Sequence, residues 1–155
     1  MKRIAILATA TLLTAAGARA SDALPEGSVP LSADQLNAKL ADKTLARGGH
    51  ERVYLAPDGT TLGAYDNKAA EAVGKGTWKV DGNELCWSVD WRGRGGNHTE
   101  RDCRKFYQTG SGIIVQQTVN ADGSPLTVFP IGGFVLMPGD RATERYSKVE
   151  ELLRK

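Results

Sequence analysis

Titratable side chains concentrate in one short stretch of this sequence, which contains Asp90, His98, Glu100, Arg101 and Asp102. In a hydrolase, His98 would be the general base and Asp102 or Glu100 would orient it, but the sequence fixes no serine or cysteine nucleophile nearby. A metal site here would have a single histidine, because His50 is far away along the chain. We therefore expect a solvated face of cross-strand charge pairs, without a catalytic residue, metal or cofactor. A hydrolase that uses His98 and Asp102 is kept as a remote alternative.

A glycine-rich loop with two arginines lies beside this stretch. The segment from Arg92 to Asn97, RGRGGN, can present backbone N–H groups and the guanidinium groups of Arg92 and Arg94 to an anion or to a partner protein. It lacks the strand–loop–helix context and the lysine of a phosphate-binding loop, so nucleotide binding is not predicted. A plain hairpin turn is the favoured interpretation.

Aromatic side chains form the second candidate site. The candidate ligand-lining residues are Trp78, Trp87, Trp91, Tyr65 and Phe106. A barrel of about eight strands is just wide enough to hold one small ligand, or to be filled by its own side chains. The sequence does not decide between a hollow and a filled barrel.

The titratable cluster and the aromatic set both depend on one hairpin, and the two cysteines predict its register. Cys86 and Cys103 are the only cysteines, and we expect one structural disulfide between them. If they face each other, the residue numbers of every pair add up to 189, Trp91 faces His98 and Arg92–Asn97 forms the connection. The disulfide and the glycine-rich turn therefore predict the same register.

This register contains a conflict. Strand alternation places four apolar residues on one face, expected to be interior: Leu85, Trp87, Val89 and Trp91. The same register puts His98, Glu100 and Asp102 opposite them. Either a β-bulge shifts the partner strand, which is the commoner outcome, or acids line part of the barrel interior.

Strand and turn signals govern the chain from Lys43 onward. Asp-Gly turns recur at 58–59, 81–82 and 122–123 between short β-rich runs. The pattern predicts a mainly β fold, a small antiparallel up-and-down barrel of about seven or eight strands, because closure removes exposed edges.

A helix is predicted on either side of the strands. Ser32 and Gln35 have capping-box spacing, so a short helix from about Ala33 to Ala41 should cover the core. Asp140 should cap a C-terminal helix whose narrow apolar stripe docks loosely or frays. The predicted organisation is a cleaved signal peptide (1–20), a flexible leader (21–30), a β-barrel domain with the N-terminal helix (31–138) and a C-terminal amphipathic helix (139–155).

The first twenty residues have the pattern of a secretory signal peptide. A basic start precedes an apolar run, and Ala18-Arg19-Ala20 predicts cleavage between Ala20 and Ser21. The run is too short to remain as a membrane span. Cleavage leaves 17 of the 20 basic residues against 18 acidic ones, so no nucleic-acid partner is predicted. The expected location is periplasmic or secreted.

Several segments resemble a family of small exported proteobacterial proteins of unknown function. They are the LSADQL helix, the YLAPDGT hairpin, the GTWKVDGNELCW run and the second cysteine, Cys103. The likeness covers roughly Leu31 to Gln117 and is most specific from Gly76 to Trp87. It implies export and a lipocalin-like small β-barrel, but no reaction and no catalytic residues. The apolar PIGGFVLMPGD segment and the C-terminal helix are not features of that family.

The sequence thus favours an exported, non-catalytic binding or accessory module whose barrel holds a small apolar ligand. The alternative is an envelope protein-interaction or inhibitor protein that acts through the 92–97 loop and the apolar 130–137 segment. Neither the ligand nor the partner is identified by the sequence.

Overall fold

The computed structural model describes residues 23–67, 70–112, 114–119, 125–130 and 135–155. The predicted signal peptide, the Asp-Gly turn at 122–123 and residues 131–134 of the apolar segment lie outside the described residues.

The described chain contains ten strands and two helices. The strands are β1 (Val29–Pro30), β2 (Lys43–Arg47), β3 (Glu51–Leu55), β4 (Thr60–Asn67), β5 (Ala70–Asp81), β6 (Glu84–Gly93), β7 (Gly96–Gln108), β8 (Ile114–Val119), β9 (Pro125–Pro130) and β10 (Val135–Pro138). The helices are α1 (Ala33–Leu40) and α2 (Thr143–Leu153).

The strands form one antiparallel sheet in the order β10-β2-β3-β4-β5-β6-β7-β8-β9, and β1 pairs with the end of β7. Strands β9 and β10 lie at opposite ends of this order, yet only four residues connect them, which span about 18 Å at most. Nine strands in a flat sheet would separate these ends by about 38 Å. The sheet must therefore curl, and the predicted mainly β, barrel-like fold is confirmed.

The strand count exceeds the predicted seven or eight. The two strands that sequence reasoning missed are β1, which lies in the predicted leader, and β2, which directly follows α1. Strand β1 has only two residues, which is too short to show an alternation.

Helix α1 covers one end of the barrel, as predicted. Its capping box is formed: the Gln35 backbone N–H donates to Ser32 Oγ at 3.2 Å, and the Ser32 N–H donates to Gln35 Oε1 at 2.8 Å. Leu36 and Leu40 are buried in the core with Leu85. This end of the barrel is closed by apolar packing.

Helix α2 packs against the outside of β4 and β5. Asp140 accepts hydrogen bonds from the backbone N–H groups of Ala142 (2.8 Å) and Thr143 (2.9 Å). Burial raises the pKa of Asp140, but the hydrogen bonds from Thr143 and Ala142 outweigh burial and hold that pKa below its usual value. Ala142 and Val149 are fully buried, so the predicted loose docking is wrong. None of the described helices has the length and apolar character needed to cross a bilayer.

Candidate functional site

The β6–β7 hairpin has the register that the cysteines predict. Cys86 is paired with Cys103 and joined to it by a disulfide, and Trp91 faces His98. The pairing is continuous from Glu84 to Gly93, so the prediction of a β-bulge is wrong. The alternative prediction, an interior partly lined by acids, is the one that this register supports. Acidic side chains line part of the barrel interior.

Glu100 is held among apolar residues by two indole groups. The Nε1–H of Trp91 donates to Glu100 Oε2 at 2.9 Å, and that of Trp87 donates to Oε1 at 3.4 Å. A buried indole N–H needs an acceptor, and an inward carboxylate supplies one. The conflict in the sequence pattern is thus resolved by hydrogen bonds between the two strands.

Asp102 belongs to a separate interior network that sequence reasoning missed. The Nε and Nη2 of Arg104 donate to Asp102 Oδ2 at 3.0 and 2.7 Å, and Nη1 donates to Gln116 Oε1 at 3.0 Å. The guanidinium group of Arg104 also lies 5.0 Å from the centre of the Trp87 ring. The available signal was alternation along β7, which places residues 98, 100, 102 and 104 on one face.

His98 and Asp102 do not form a base–acid pair. They are four residues apart on one strand, which separates them by roughly 13 Å, and Glu100 lies between them. The Asp102 carboxylate is instead bound by Arg104. The geometry gives no support to the hydrolase alternative.

The Trp91 ring packs directly against two glycines of the neighbouring strands. A Cβ atom added at Gly63 would come within 2.5 Å of the Trp91 ring, and one added at Gly74 would come within 2.9 Å of it. Such distances are too short for non-bonded carbon atoms, so the indole ring fits only because β4 and β5 carry glycine there. Glycine inside a strand is the sequence signal for such a close approach, and sequence reasoning did not use it.

A cavity of about 400 Å³ opens at the end of the barrel remote from α1. It is lined by Arg47, Glu51, Tyr65, Ala70, Glu71, Ala72, Trp91, Gly93, Gly95, Gly96, Asn97, His98 and Glu100. Of the predicted ligand-lining residues, Trp91 and Tyr65 are in this wall.

The other three predicted ligand-lining residues lie elsewhere. Trp87 and Phe106 border an internal void of only about 20 Å³ near α1. Trp78 is buried, borders neither cavity and donates from Nε1 to the Ala56 carbonyl oxygen at 2.8 Å. The barrel is therefore filled near α1 and hollow at its other end.

The carboxylates of Glu51 and Glu100 both line the hollow end. Burial raises the pKa of Glu51, the charge of Glu100 adds to this effect, and Arg47 and Arg104 act against it. The nearest Arg47 nitrogen is 3.7 Å from the Glu51 carboxylate, and the Arg47 side chain is 54% exposed. The cavity wall therefore carries two acids, and the charge of Glu100 acts on Glu51.

The arginines of the β6–β7 turn bind within the chain. Arg92 Nη2 is 2.9 Å from Glu150 Oε1 of α2, and Arg94 Nε is 2.6 Å from Glu71 Oε2 of β5. Arg94 also donates to the Leu152 carbonyl oxygen at 3.3 Å. These bonds tie the hairpin tip to its neighbours, and the predicted contact of Arg92 and Arg94 with an anion or a partner protein stays a prediction.

One set of potential metal ligands occurs in the described part of the chain: Glu84, Cys86 and Cys103. Both cysteine sulfurs are consumed by the disulfide, so no thiolate is available to a metal in this oxidised form. A disulfide is typical of proteins that fold in an oxidising, exported environment.

Comparison with known proteins identifies a family but no activity. A family profile described as "Protein of unknown function (DUF995)" matches residues 5–129. No curated protein and no solved structure matches the chain significantly. The match agrees with the resemblance to a family of unknown function, and it extends over most of the chain. The chain therefore belongs to the DUF995 family.

Proposed function

We propose that this protein is an exported, non-catalytic binding module that holds a small molecule in the open end of its barrel. The observation that carries this proposal is the cavity of about 400 Å³, whose volume lies within the usual range of small-molecule sites. Such sites combine an apolar wall with a few converging polar groups. Trp91 and Tyr65 provide the apolar wall here, and Glu51 and Glu100 provide the polar groups.

Rigidity of the wall supports the proposal. The Trp91 ring is confined by Gly63 and Gly74 below it and by its hydrogen bond to Glu100. A side chain fixed before binding loses little entropy when a ligand arrives. The wall is therefore pre-organised for a ligand.

The acids in the wall change the ligand chemistry expected from the sequence. A purely apolar ligand would strip water from Glu51 and Glu100 without replacing its hydrogen bonds, which is unfavourable. The proposed ligand therefore has a polar group as well as an apolar body.

The proposed location is periplasmic or secreted, with signal cleavage between Ala20 and Ser21. The residue pattern of the first twenty positions and the Cys86–Cys103 disulfide support it. The non-catalytic part of the proposal rests on the separation of His98 from Asp102.

The test is a binding screen on a matched pair of variants of β5. Ala72 lines the cavity, whereas Thr77 is exposed on the outer face of the same strand. Wild type, Ala72→Phe and Thr77→Phe are screened by tryptophan fluorescence and thermal shift against neutral, anionic and cationic small molecules. We expect Ala72→Phe to fill the cavity and weaken binding at least about tenfold, and Thr77→Phe to bind within about twofold of wild type.

A screen without any ligand response, or equal binding by a folded Ala72→Phe variant, would contradict the proposal. That result would favour the alternative, a protein-interaction module that uses the apolar 130–137 segment. The supporting observation for the alternative is that the Val135 residue is 64% exposed.

A further inference from the structure

We propose that the ligand is an organic cation: an ammonium or guanidinium group bound between Glu51 and Glu100, carried on an apolar body that lies against Trp91 and Tyr65. This inference rests on the proposed function, because it assigns a chemical class to the ligand of the same cavity.

The surroundings of Glu100 favour a cationic ligand. Its two oxygens are oriented by the neutral indole N–H groups of Trp91 and Trp87, at 2.9 and 3.4 Å. Among the described residues, no arginine, lysine or histidine makes an ion pair with Glu100, although Asp102 is paired with Arg104. The negative charge of Glu100 is thus fixed in direction but not neutralised. A positively charged ligand would form an ion pair with the Glu100 carboxylate.

The position of Glu51 also favours a cationic ligand. It lines the same cavity from β3, which is four strands away from β7, the strand of Glu100, in the sheet order. Its ion pair with Arg47 is long, at 3.7 Å, and the Arg47 side chain is largely solvated. The attraction between the two charges is therefore weak. A cation inside the cavity is shielded from water and interacts more strongly with Glu51 than an exposed arginine does.

The aromatic wall of the cavity favours an organic cation. Trp91 and Tyr65 both line the cavity. The electron-rich faces of these rings attract cations, and tryptophan does so most strongly. The same rings pack against the apolar part of an organic ligand, so they favour an organic cation over a simple inorganic one.

The lining also argues against an anion. It contains three carboxylates, of Glu51, Glu71 and Glu100, and a single guanidinium group, that of Arg47. Arg94 offsets Glu71, which leaves two acids against one base. An anionic ligand would therefore meet a net negative wall.

A bare metal ion fits less well than an organic cation. A Ca²⁺ ion takes six to eight oxygen ligands at about 2.3–2.6 Å. Within the described part of the chain, Glu51 and Glu100 belong to no group of three or more side chains close enough to share a metal.

The test uses three probes of nearly the same shape: phenethylamine, 2-phenylethanol and phenylacetate. At pH 7.4 they are a cation, a neutral molecule and an anion. Calorimetric titration of the purified wild-type protein should give a Kd for phenethylamine at least about tenfold lower than for 2-phenylethanol, with phenylacetate the weakest. Glu100→Gln and Glu51→Gln should each reduce this preference to about threefold or less.

Glu84→Gln is the matched control. It removes one carboxylate from the same hairpin but from the outer face of β6, so the preference for phenethylamine should persist. The inference is overturned if 2-phenylethanol or phenylacetate binds as tightly as phenethylamine, and the proposed small-molecule function then stands. If none of the three probes binds to a protein shown to be folded, both the inference and the proposed function fail.

Discussion

Glu51 is a half-buried acid, and we expect it to stabilise the fold less at neutral pH than a neutral residue would. Its side chain is only 15% exposed, and burial together with Glu100 raises its pKa. A carboxylate whose burial lowers the stability of the fold is often part of a functional site, because binding can require a group that destabilises the ligand-free protein.

Glu51→Gln should therefore increase the stability of the ligand-free protein at pH 7. Because its pKa is raised on folding, Glu51 contributes stability when it is protonated, below its usual pKa of 4.5, and this contribution is lost as the pH rises through the raised value. Glutamine has no charge to desolvate at any pH. Thermal unfolding from pH 4 to pH 8 should show a higher Tm for Glu51→Gln at pH 7 and a difference that shrinks towards pH 4.

Glu26→Gln serves as the control, because Glu26 is exposed and its replacement by glutamine removes the same charge. Its Tm should follow that of the wild type across the whole range. A Glu51→Gln variant that is less stable than wild type at pH 7 would show that the Arg47 ion pair outweighs the cost of burial.

At the level of single residues, the sequence predicted which side chains face inward but not what they contact. Alternation and the disulfide register placed Trp91 on the interior face correctly, whereas Glu100 lies there only because the favoured β-bulge is absent. The indole–carboxylate bond and the packing of the Trp91 ring against Gly63 and Gly74 could not be predicted. They depend on how far β4 and β5 approach Trp91, which is a property of the curled sheet and not of any one strand.

The β6–β7 hairpin is the element that holds the candidate site in place. Its outer face carries the Cys86–Cys103 disulfide, and its inner face carries Trp91 and Glu100. A disulfide that closes a loop of this length, with a sequence separation of 17, stabilises a protein by about 3 kcal/mol through its effect on the unfolded chain.

Replacing both cysteines, Cys86→Ser with Cys103→Ser, should lower the free energy of unfolding by about 3 kcal/mol, which corresponds to a fall in Tm of roughly 10 °C. The folded variant should bind phenethylamine within about twofold of wild type, because the disulfide lies on the face remote from the cavity. Denaturant unfolding and titration measure the two effects separately. A folded variant with unchanged stability, or one that loses binding, would show that the hairpin has another role.

Elements were predicted well where a capping box or a hairpin turn defines them locally. Helix α1 and the register of β6 and β7 are examples. The close packing of α2 was not foreseen, because its narrow apolar stripe predicted only loose docking or fraying. The helix is held by long-range contacts as well, such as Arg92 with Glu150, and by the hydrogen bond from Arg145 to the Gly49 carbonyl oxygen.

The whole molecule is a curled sheet whose two ends differ in chemistry. The end under α1 is filled by apolar side chains, whereas the other end is hollow and lined by acids and aromatic rings. Strand and turn patterns predicted the curled sheet, but whether its interior is filled depends on side-chain volumes from many strands. The sequence therefore left that choice open, and an interior lined partly by acids was the less favoured of its two alternatives.

Binding of a small organic cation beside Glu100 can be observed directly through the indole N–H groups. The chain has three tryptophans, so a two-dimensional ¹H–¹⁵N spectrum contains three indole N–H signals, which single Trp→Phe variants assign. Trp91 and Trp87 donate to Glu100, whereas Trp78 donates to a backbone carbonyl outside the cavity. During a titration with phenethylamine, the Trp91 signal should shift most, the Trp87 signal less and the Trp78 signal hardly at all. A saturable shift confined to Trp78, or no indole shift at any concentration, would contradict the proposed binding.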